Sequence, residues 1–358
     1  MRLAGIDLVC PACGGGLASR GSRGDDGVAA DIADDGEISC TACGRTYPMV
    51  LGIPDLRLWS DPYISMDEDR AKARMLAERC AGLGFAESLE VYYSITTAVP
   101  PFQARRFVRA LLAADGRSRD WLDNMDARSE PYNGDLLDVG CGTAPLLVAA
   151  APRFARVCGV DVAMRWLIMA RKRLDEAGVA APLVCACAEA LPFPRESFAC
   201  VTADSTLEHL RDQSAGSREI HRVLCAGGRV YVATPNRRSL GPDPHTGLPA
   251  GGWLPDSLTA AYVRRKGGIP PLRRLLTERA LRSLLAGAGF ERITVEPYRV
   301  SAVQRASFGP ATRAAIDAYM VVRKLPGGSG VLRAIGPLLN ATAYKPAHRL
   351  PVSPPVVE

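Results

Sequence analysis

At 358 residues the chain is long enough for one full α/β domain plus a smaller module. Hydrophobic residues make up 47% and charged residues 23%, the balance of a folded globular chain, and no apolar run approaches the ~20 residues needed to span a bilayer. A net charge of +6 with a pI near 8.8 is compatible with an anionic substrate and is too mild to point to nucleic acid. The 11 cysteines are odd in number, and the start, MRLAGIDLVCPAC, has no apolar core of signal-peptide length. Reduced thiols in the cytoplasm are therefore expected, not a disulfide scaffold.

Residues 1–58 stand apart by composition. Cys10-Pro-Ala-Cys13 is followed by three glycines, and Cys40-Thr-Ala-Cys43 by Gly44. Each pair reads as a tight knuckle presenting two thiolates. Cys10, Cys13, Cys40 and Cys43 together suit tetrahedral Zn²⁺ in a structural role. A redox pair would open a helix, which neither motif does. The Gly/Asp-rich segment Gly21–Gly36 between them is expected as an exposed hairpin loop. With the following GRTYPMVLGIPDL, this stretch resembles the small zinc-ribbon module that serves as an activator subunit of tRNA and protein methyltransferases and is fused to the N-terminus of others. The resemblance implies a scaffold and interaction surface. Four cysteines leave a metal no open position for catalysis.

Residues 59–133 are expected to form a helical cap or linker over the main domain. Asp67–Ala81 has Ala, Met and Leu at helical spacing. Pro100-Pro101 interrupts the run, and Phe102–Ala114 resumes it with Phe107, Leu111 and Leu112 on one face. Asp115–Asn133 is polar and turn-rich, and reads as a loop.

From residue 134 to 358 strand and helix patterns alternate. Strands are expected at Leu136–Gly140, Val157–Val162, Leu183–Cys187, Ala199–Ala203, Arg229–Ala233, Arg292–Val300 and Asn340–Lys345. Helices are expected at Pro145–Ala151, Met164–Ala177, Gly216–Val223 and Leu275–Ala288. The fold class is α/β, a doubly wound and mostly parallel seven-stranded sheet with a small N-terminal zinc ribbon. In LLDVGCGTAPLL, Gly140 and Gly142 allow a sharp turn and a close ligand approach after a buried strand. Asp161 lies 19 residues beyond Gly142 at the end of the next strand, where a carboxylate accepts hydrogen bonds from ribose hydroxyls. Pro145 stands where a dinucleotide fingerprint would need its third glycine, which disfavours NAD-type cofactors.

DVGCGT, GVDVA, AEALPFPxxSF, LEHL and REIHRVLxxGGRV, in this order, resemble the class I S-adenosylmethionine-dependent methyltransferases, Rossmann-like enzymes. The nearest branch includes the ubiquinone and menaquinone biosynthesis enzymes. The resemblance is strong over Asp135–Asn236. It implies that Asp138, Gly140 and Gly142 line the methionine end of S-adenosylmethionine. It places the ribose on Asp161, the adenine against Val162 and between Ala188 and Glu189, and Asp204 and Ser205 near the methionine portion. Two positions depart from the pattern. Cys187 stands where an acidic residue meets the adenine amino group, and Ala199 follows Phe198 where an aspartate is usual.

His209, just past the fourth strand, is a candidate acceptor-side catalytic residue. The Gly/Pro-rich connection Asn236–Pro255 carries Asp243 and His245, a candidate pair for deprotonating a hydroxyl. Arg264-Arg265-Lys266 and Arg273-Arg274 form a basic run, read first as a solvated face. The expected reaction is O-methylation of a small-molecule or glycan-type metabolite. RNA methylation is the alternative within the class, although DSTLEH lacks the signature of an amino-group acceptor. A non-catalytic binding or partner protein is the alternative outside it.

Overall fold

The computed structural model describes residues 1–20, 35–96, 99–126, 134–243, 246–306 and 308–347. Most of the Gly21–Gly36 segment, and His245, lie outside these residues.

The N-terminal module contains β1 (Arg2–Leu3), β2 (Ile6–Asp7), β3 (Leu17–Arg20), β4 (Asp35–Cys40), β5 (Thr46–Val50) and β6 (Ile53–Pro54). β3 to β6 form an antiparallel sheet in sequence order, and β1 pairs with β2. Gly14 and Gly44 take positive φ, +74° and +71°, and each donates its N–H back to the first cysteine of its motif. That is the knuckle turn implied by Cys-x-x-Cys-Gly.

The next segment holds α1 (Met66–Arg79), α2 (Phe85–Ser94), α3 (Pro101–Leu112) and α4 (Ala114–Asp126). α1 starts at a capping box. Ser65 accepts from the Glu68 N–H, the Glu68 carboxylate accepts from the Ser65 N–H, and Asp67, Glu68 and Asp69 fill the first turn. α4 corrects the expectation of a loop from Asp115. Its Trp121 and Leu122 are buried, in one apolar cluster with Leu146, Leu147 and Ala150.

The main domain runs β7 (Asp135–Val139), α5 (Pro145–Ala150), β8 (Arg156–Asp161), α6 (Met164–Ala177), β9 (Leu183–Cys185), β10 (Phe198–Asp204), α7 (Gln213–Val223), β11 (Leu224–Pro235), α8 (Asp256–Arg265), α9 (Glu278–Gly287), β12 (Glu291–Pro297), α10 (Ala302–Ala306), α11 (Pro310–Lys324), α12 (Gly328–Ile335) and β13 (Leu338–Tyr344). The seven-stranded sheet has the order β12-β13-β11-β10-β7-β8-β9. β7 to β11 pair in parallel, and β13 is antiparallel to both β11 and β12. The doubly wound, mostly parallel architecture expected from the sequence is thus present. The chain leaves β7 toward β8 on one side and returns to β10 on the other, so the C-terminal ends of β7 and β10 flank the crevice where such sheets bind ligands. Central strands such as β7 are buried on both faces and read as apolar runs. β13 alternates, with Leu339, Ala341 and Ala343 inward.

The ribbon packs on the β9 edge of this sheet. Leu56 N–H donates to the Cys185 carbonyl at 2.8 Å, and Val9 N–H to the Pro192 carbonyl at 2.9 Å. Leu8, Ile38 and Tyr47 of the ribbon share one continuous apolar core with Val160, Val184 and Phe193.

Candidate active site

A cavity of about 320 Å³ opens at the C-terminal ends of β7, β8 and β10. Gly140, Gly142, Asp161, Val162, Ala188, Glu189, Ser205 and His209, all singled out in the sequence, line it. Gly140 has φ +74°, and a Cβ there would come within 2.2 Å of Thr206 Oγ1. Thr206 itself donates to the Val139 carbonyl at 2.9 Å, so no larger residue fits the turn. Gly142 has φ +51° and faces open space.

Asp161 holds this turn in place. Its Oδ2 accepts from the Gly142 N–H at 2.9 Å and its Oδ1 from the Ala163 N–H at 2.8 Å. Each oxygen keeps a second lone pair for a ligand hydroxyl. Burial raises its pKa, and the two backbone N–H bonds oppose that rise.

Asp138 is not on the cavity wall. It is buried, and its Oδ1 accepts from Thr202 Oγ1 at 2.8 Å. Asp204 is half-buried beside the cavity and accepts from Ser205 Oγ at 3.0 Å. The Glu189 carboxylate lines the cavity while accepting from the Arg211 N–H at 2.7 Å. His209 hydrogen-bonds the Leu272 backbone, and its pKa is lowered, chiefly by burial, which favours neutral imidazole. Cys187 is buried, and its Sγ donates to the Trp59 carbonyl at 3.5 Å. Asp243 forms a buried ion pair with Arg273, and Arg274 donates to the Arg211 carbonyl. The basic run is therefore not one solvated face: Arg273 is an internal counter-ion.

Sequence reading missed the strap Trp59–Tyr63, which joins the ribbon to α1 and contributes five consecutive residues to the cavity wall. Tyr63 Oη accepts from the Leu272 N–H at 2.6 Å, tying the strap to the same backbone that His209 holds. Trp166 closes another part of the wall and stacks on Tyr92 of α2 at 4.5 Å. No local pattern in the sequence marks the strap, because its place depends on how the ribbon docks.

A buried ionic network sits behind the strap. Arg57 binds both oxygens of Asp55 at 2.7 Å, reaches Asp69 Oδ2 at 2.7 Å and donates to the Val162 carbonyl at 3.0 Å. Arg165 spans Asp69 at 2.7 Å and Asp61 at 2.8 Å. Asp69 also accepts from the Met164 N–H at 2.8 Å. The sharing of carboxylates among guanidiniums balances charge in a dry place, and bidentate geometry suits it.

At the other end of the ribbon, the sulfurs of Cys10, Cys13, Cys40 and Cys43 all lie within 4.8 Å of one another. Cys13 and Cys40 are 3.5 Å apart, and Cys10 and Cys43 3.9 Å. A tetrahedral tetrathiolate centre with Zn–S bonds of ~2.3 Å spaces its sulfurs roughly 3.8 Å apart, so the cluster fits a zinc-binding module. Gly15 is packed against it: a Cβ there would meet Cys40 Sγ at 3.1 Å and Cys13 Sγ at 3.3 Å.

The family model for the methyltransferase domain matches residues 137–232, which span β7 to β11 and every cavity residue of those strands. The chain carries a class I S-adenosylmethionine-dependent methyltransferase domain. The chain is 36% identical over 119 residues to the ubiquinone biosynthesis O-methyltransferase of Pseudomonas syringae pv. tomato, an alignment covering 33% of this chain and 50% of that one. The homologue from Pseudomonas paraeruginosa is also 36% identical, over 120 residues with the same coverages. The chain spans about half the length of the curated relatives it matches. Solved structures similar to the chain include phosphoethanolamine N-methyltransferase 2 of Haemonchus contortus in complex with S-adenosyl-L-methionine, at TM-score 0.44 and 21% identity over 64% of this chain and 52% of that one. Another is geranyl diphosphate C-methyltransferase of Streptomyces coelicolor, at TM-score 0.43 and 18% identity over 64% and 76%. Among the described residues no helix is long and apolar enough to cross a membrane.

Proposed function

We propose that the chain is an S-adenosylmethionine-dependent O-methyltransferase acting on a small-molecule or glycan-type acceptor, with a structural Zn²⁺ on Cys10, Cys13, Cys40 and Cys43. The observation that carries the reading is Asp161, braced by Gly142 and Ala163 on the wall of a cavity at the crevice of the sheet. In this reading the carboxylate holds the ribose hydroxyls and Gly140 and Gly142 admit the methionine end. Val162, Ala188 and Glu189 surround the adenine. Asp138 shapes the turn from within the sheet, and Asp204 and Ser205 stand at the methionine portion.

When bound, the cofactor supplies an electrophilic methyl group for in-line displacement. The protein positions the acceptor and excludes water. His209, neutral and on the cavity wall, is the described residue best placed to take a proton from a hydroxyl acceptor. The O-methyltransferase relatives and the modest cavity volume of about 320 Å³ support a small acceptor. The internal pairing of Arg273 with Asp243 removes one cation from the basic run. Zinc there is a clamp on the ribbon, with no vacant position for chemistry.

Calorimetric titration of the full chain with S-adenosylhomocysteine tests the cofactor reading. Wild type should bind, and Asp161→Ala should bind at least about tenfold more weakly, since hydrogen bonds to a charged group contribute roughly 1.5–3 kcal/mol. Absence of binding by wild type would favour the non-catalytic partner protein.

A further inference from the structure

We infer that the Trp59 indole stacks on the nucleobase of the cofactor, so that the ribbon's exit strap supplies an adenine contact to the transferase site. This rests on reading the cavity as the S-adenosylmethionine site. The strap and the β9 end of the sheet meet there, with Trp59 on the same cavity wall as Val162, Ala186, Ala188 and Leu210. Those four side chains are aliphatic and offer a flat base no hydrogen bond, and the Glu189 carboxylate next to Ala188 already accepts from the Arg211 and Asp212 N–H groups through Oε1. Cys187, at the position where the resembling family carries a carboxylate, has its thiol engaged by the Trp59 carbonyl at 3.5 Å. The contact that would ordinarily hold the adenine amino group is thus replaced by one that fixes the strap. An aromatic face binds a base through stacking and needs no such acceptor.

The indole is held for that role. The Arg211 guanidinium lies over one face of the indole, 5.4 Å from the ring centroid, so the base is assigned to the opposite face, and the Arg211 backbone is anchored by Glu189. Upstream, Arg57 locks the strap to Asp55, Asp69 and the Val162 carbonyl. Downstream, Asp61 is paired with Arg165 and Tyr63 is tied to Leu272. The strap is therefore pinned on both sides of Trp59 before a ligand arrives, which favours affinity.

The test is calorimetric titration of the full-length protein, as wild type, Trp59→Ala and Trp59→Phe, with S-adenosylhomocysteine and with methylthioadenosine, which keeps the base and ribose and lacks the amino-acid end. Trp59→Ala should weaken both ligands by about tenfold, the usual size of a base–aromatic stack, and Trp59→Phe should stay within about threefold of wild type. Thermal melts of the ligand-free variants should match wild type. Unchanged binding by Trp59→Ala overturns the inference while leaving the cofactor reading intact. So does a loss for S-adenosylhomocysteine alone, which would put the indole at the amino-acid end. Equal losses in both variants with lowered melting temperatures would make Trp59 a structural prop and also overturn it. A wild type that binds neither ligand overturns the cofactor reading, and this inference with it.

Discussion

Asp138 is a carboxyl group that water does not reach. Burial pushes its pKa from the usual 3.8 to about 7, with Asp204 and Asp161 adding to the rise and the Thr202 hydrogen bond opposing it. The sign of the linkage follows. Between those values the unfolded chain has lost the proton and the folded chain keeps it, so stability falls as pH rises from about 4 to about 7. Asp138→Asn, which still accepts from Thr202 but does not ionise, should be more stable than wild type by about 1–3 kcal/mol at pH 8. The difference should vanish near pH 4. Urea unfolding of the ligand-free protein at both pH values checks this, and a constant difference would mean Asp138 is charged throughout. Glu208, also buried and raised to about 7, is common to both proteins and cancels. LEHL does not reveal the burial of Glu208, because that burial depends on β11, whose Thr234 supplies its hydrogen bond at 3.0 Å.

At the scale of elements, the patterns read best where burial is two-sided or strictly periodic. Met164–Ala177 was legible to the residue, with Gly178 in the left-handed region as its stop. The expected helix Leu275–Ala288 is present as α9, where Thr277 caps the start through the Ala280 N–H. α4 was illegible. Among Ala114–Asp126 only Trp121, Leu122 and Met125 are large and apolar, and a glycine interrupts the run, so no helical period emerges. Docking supplies what propensity lacks: Arg173 of α6 pairs with Asp115, and Leu122 is fully buried. Leu122→Ala should therefore cost about 2–5 kcal/mol in urea unfolding, as at a packed core site. A loop on the surface would lose under about 0.5 kcal/mol.

At the scale of the molecule, the ribbon and the transferase domain share a core, backbone hydrogen bonds and the Arg57–Asp69–Arg165 network. Neither can open without exposing apolar surface of the other and leaving buried charges unpaired. Calorimetric melting should show one cooperative transition for the whole chain. With the proposed Zn²⁺ loaded on the four cysteines, stripping it with a chelator should lower that single transition, because metal-binding free energy is folding free energy. A separate low-temperature transition for the ribbon would contradict the shared core. Within the network, Asp69→Asn leaves two guanidiniums short of charge and should cost about 3 kcal/mol by chemical denaturation, against under about 1 kcal/mol for removing an exposed partner such as Asp67.

The sequence by itself determined the features that local spacing encodes. Apolar runs marked the strands, two Cys-x-x-Cys-Gly knuckles marked the four-sulfur cluster, and Gly140, Gly142 and Asp161 marked the crevice. Each of these depends on a period or a distance along one stretch of chain. The tertiary structure alone decided that Trp59–Tyr63 walls the cavity, that Asp243 is spent on Arg273, and that the ribbon is built into the domain edge. Those outcomes depend on which distant surfaces meet, and the chain's order carries no periodic trace of a contact between residues 59 and 187 or 243 and 273. So the glycine turn marked the cavity from local spacing, while the strap that walls it depends on the docking of the ribbon.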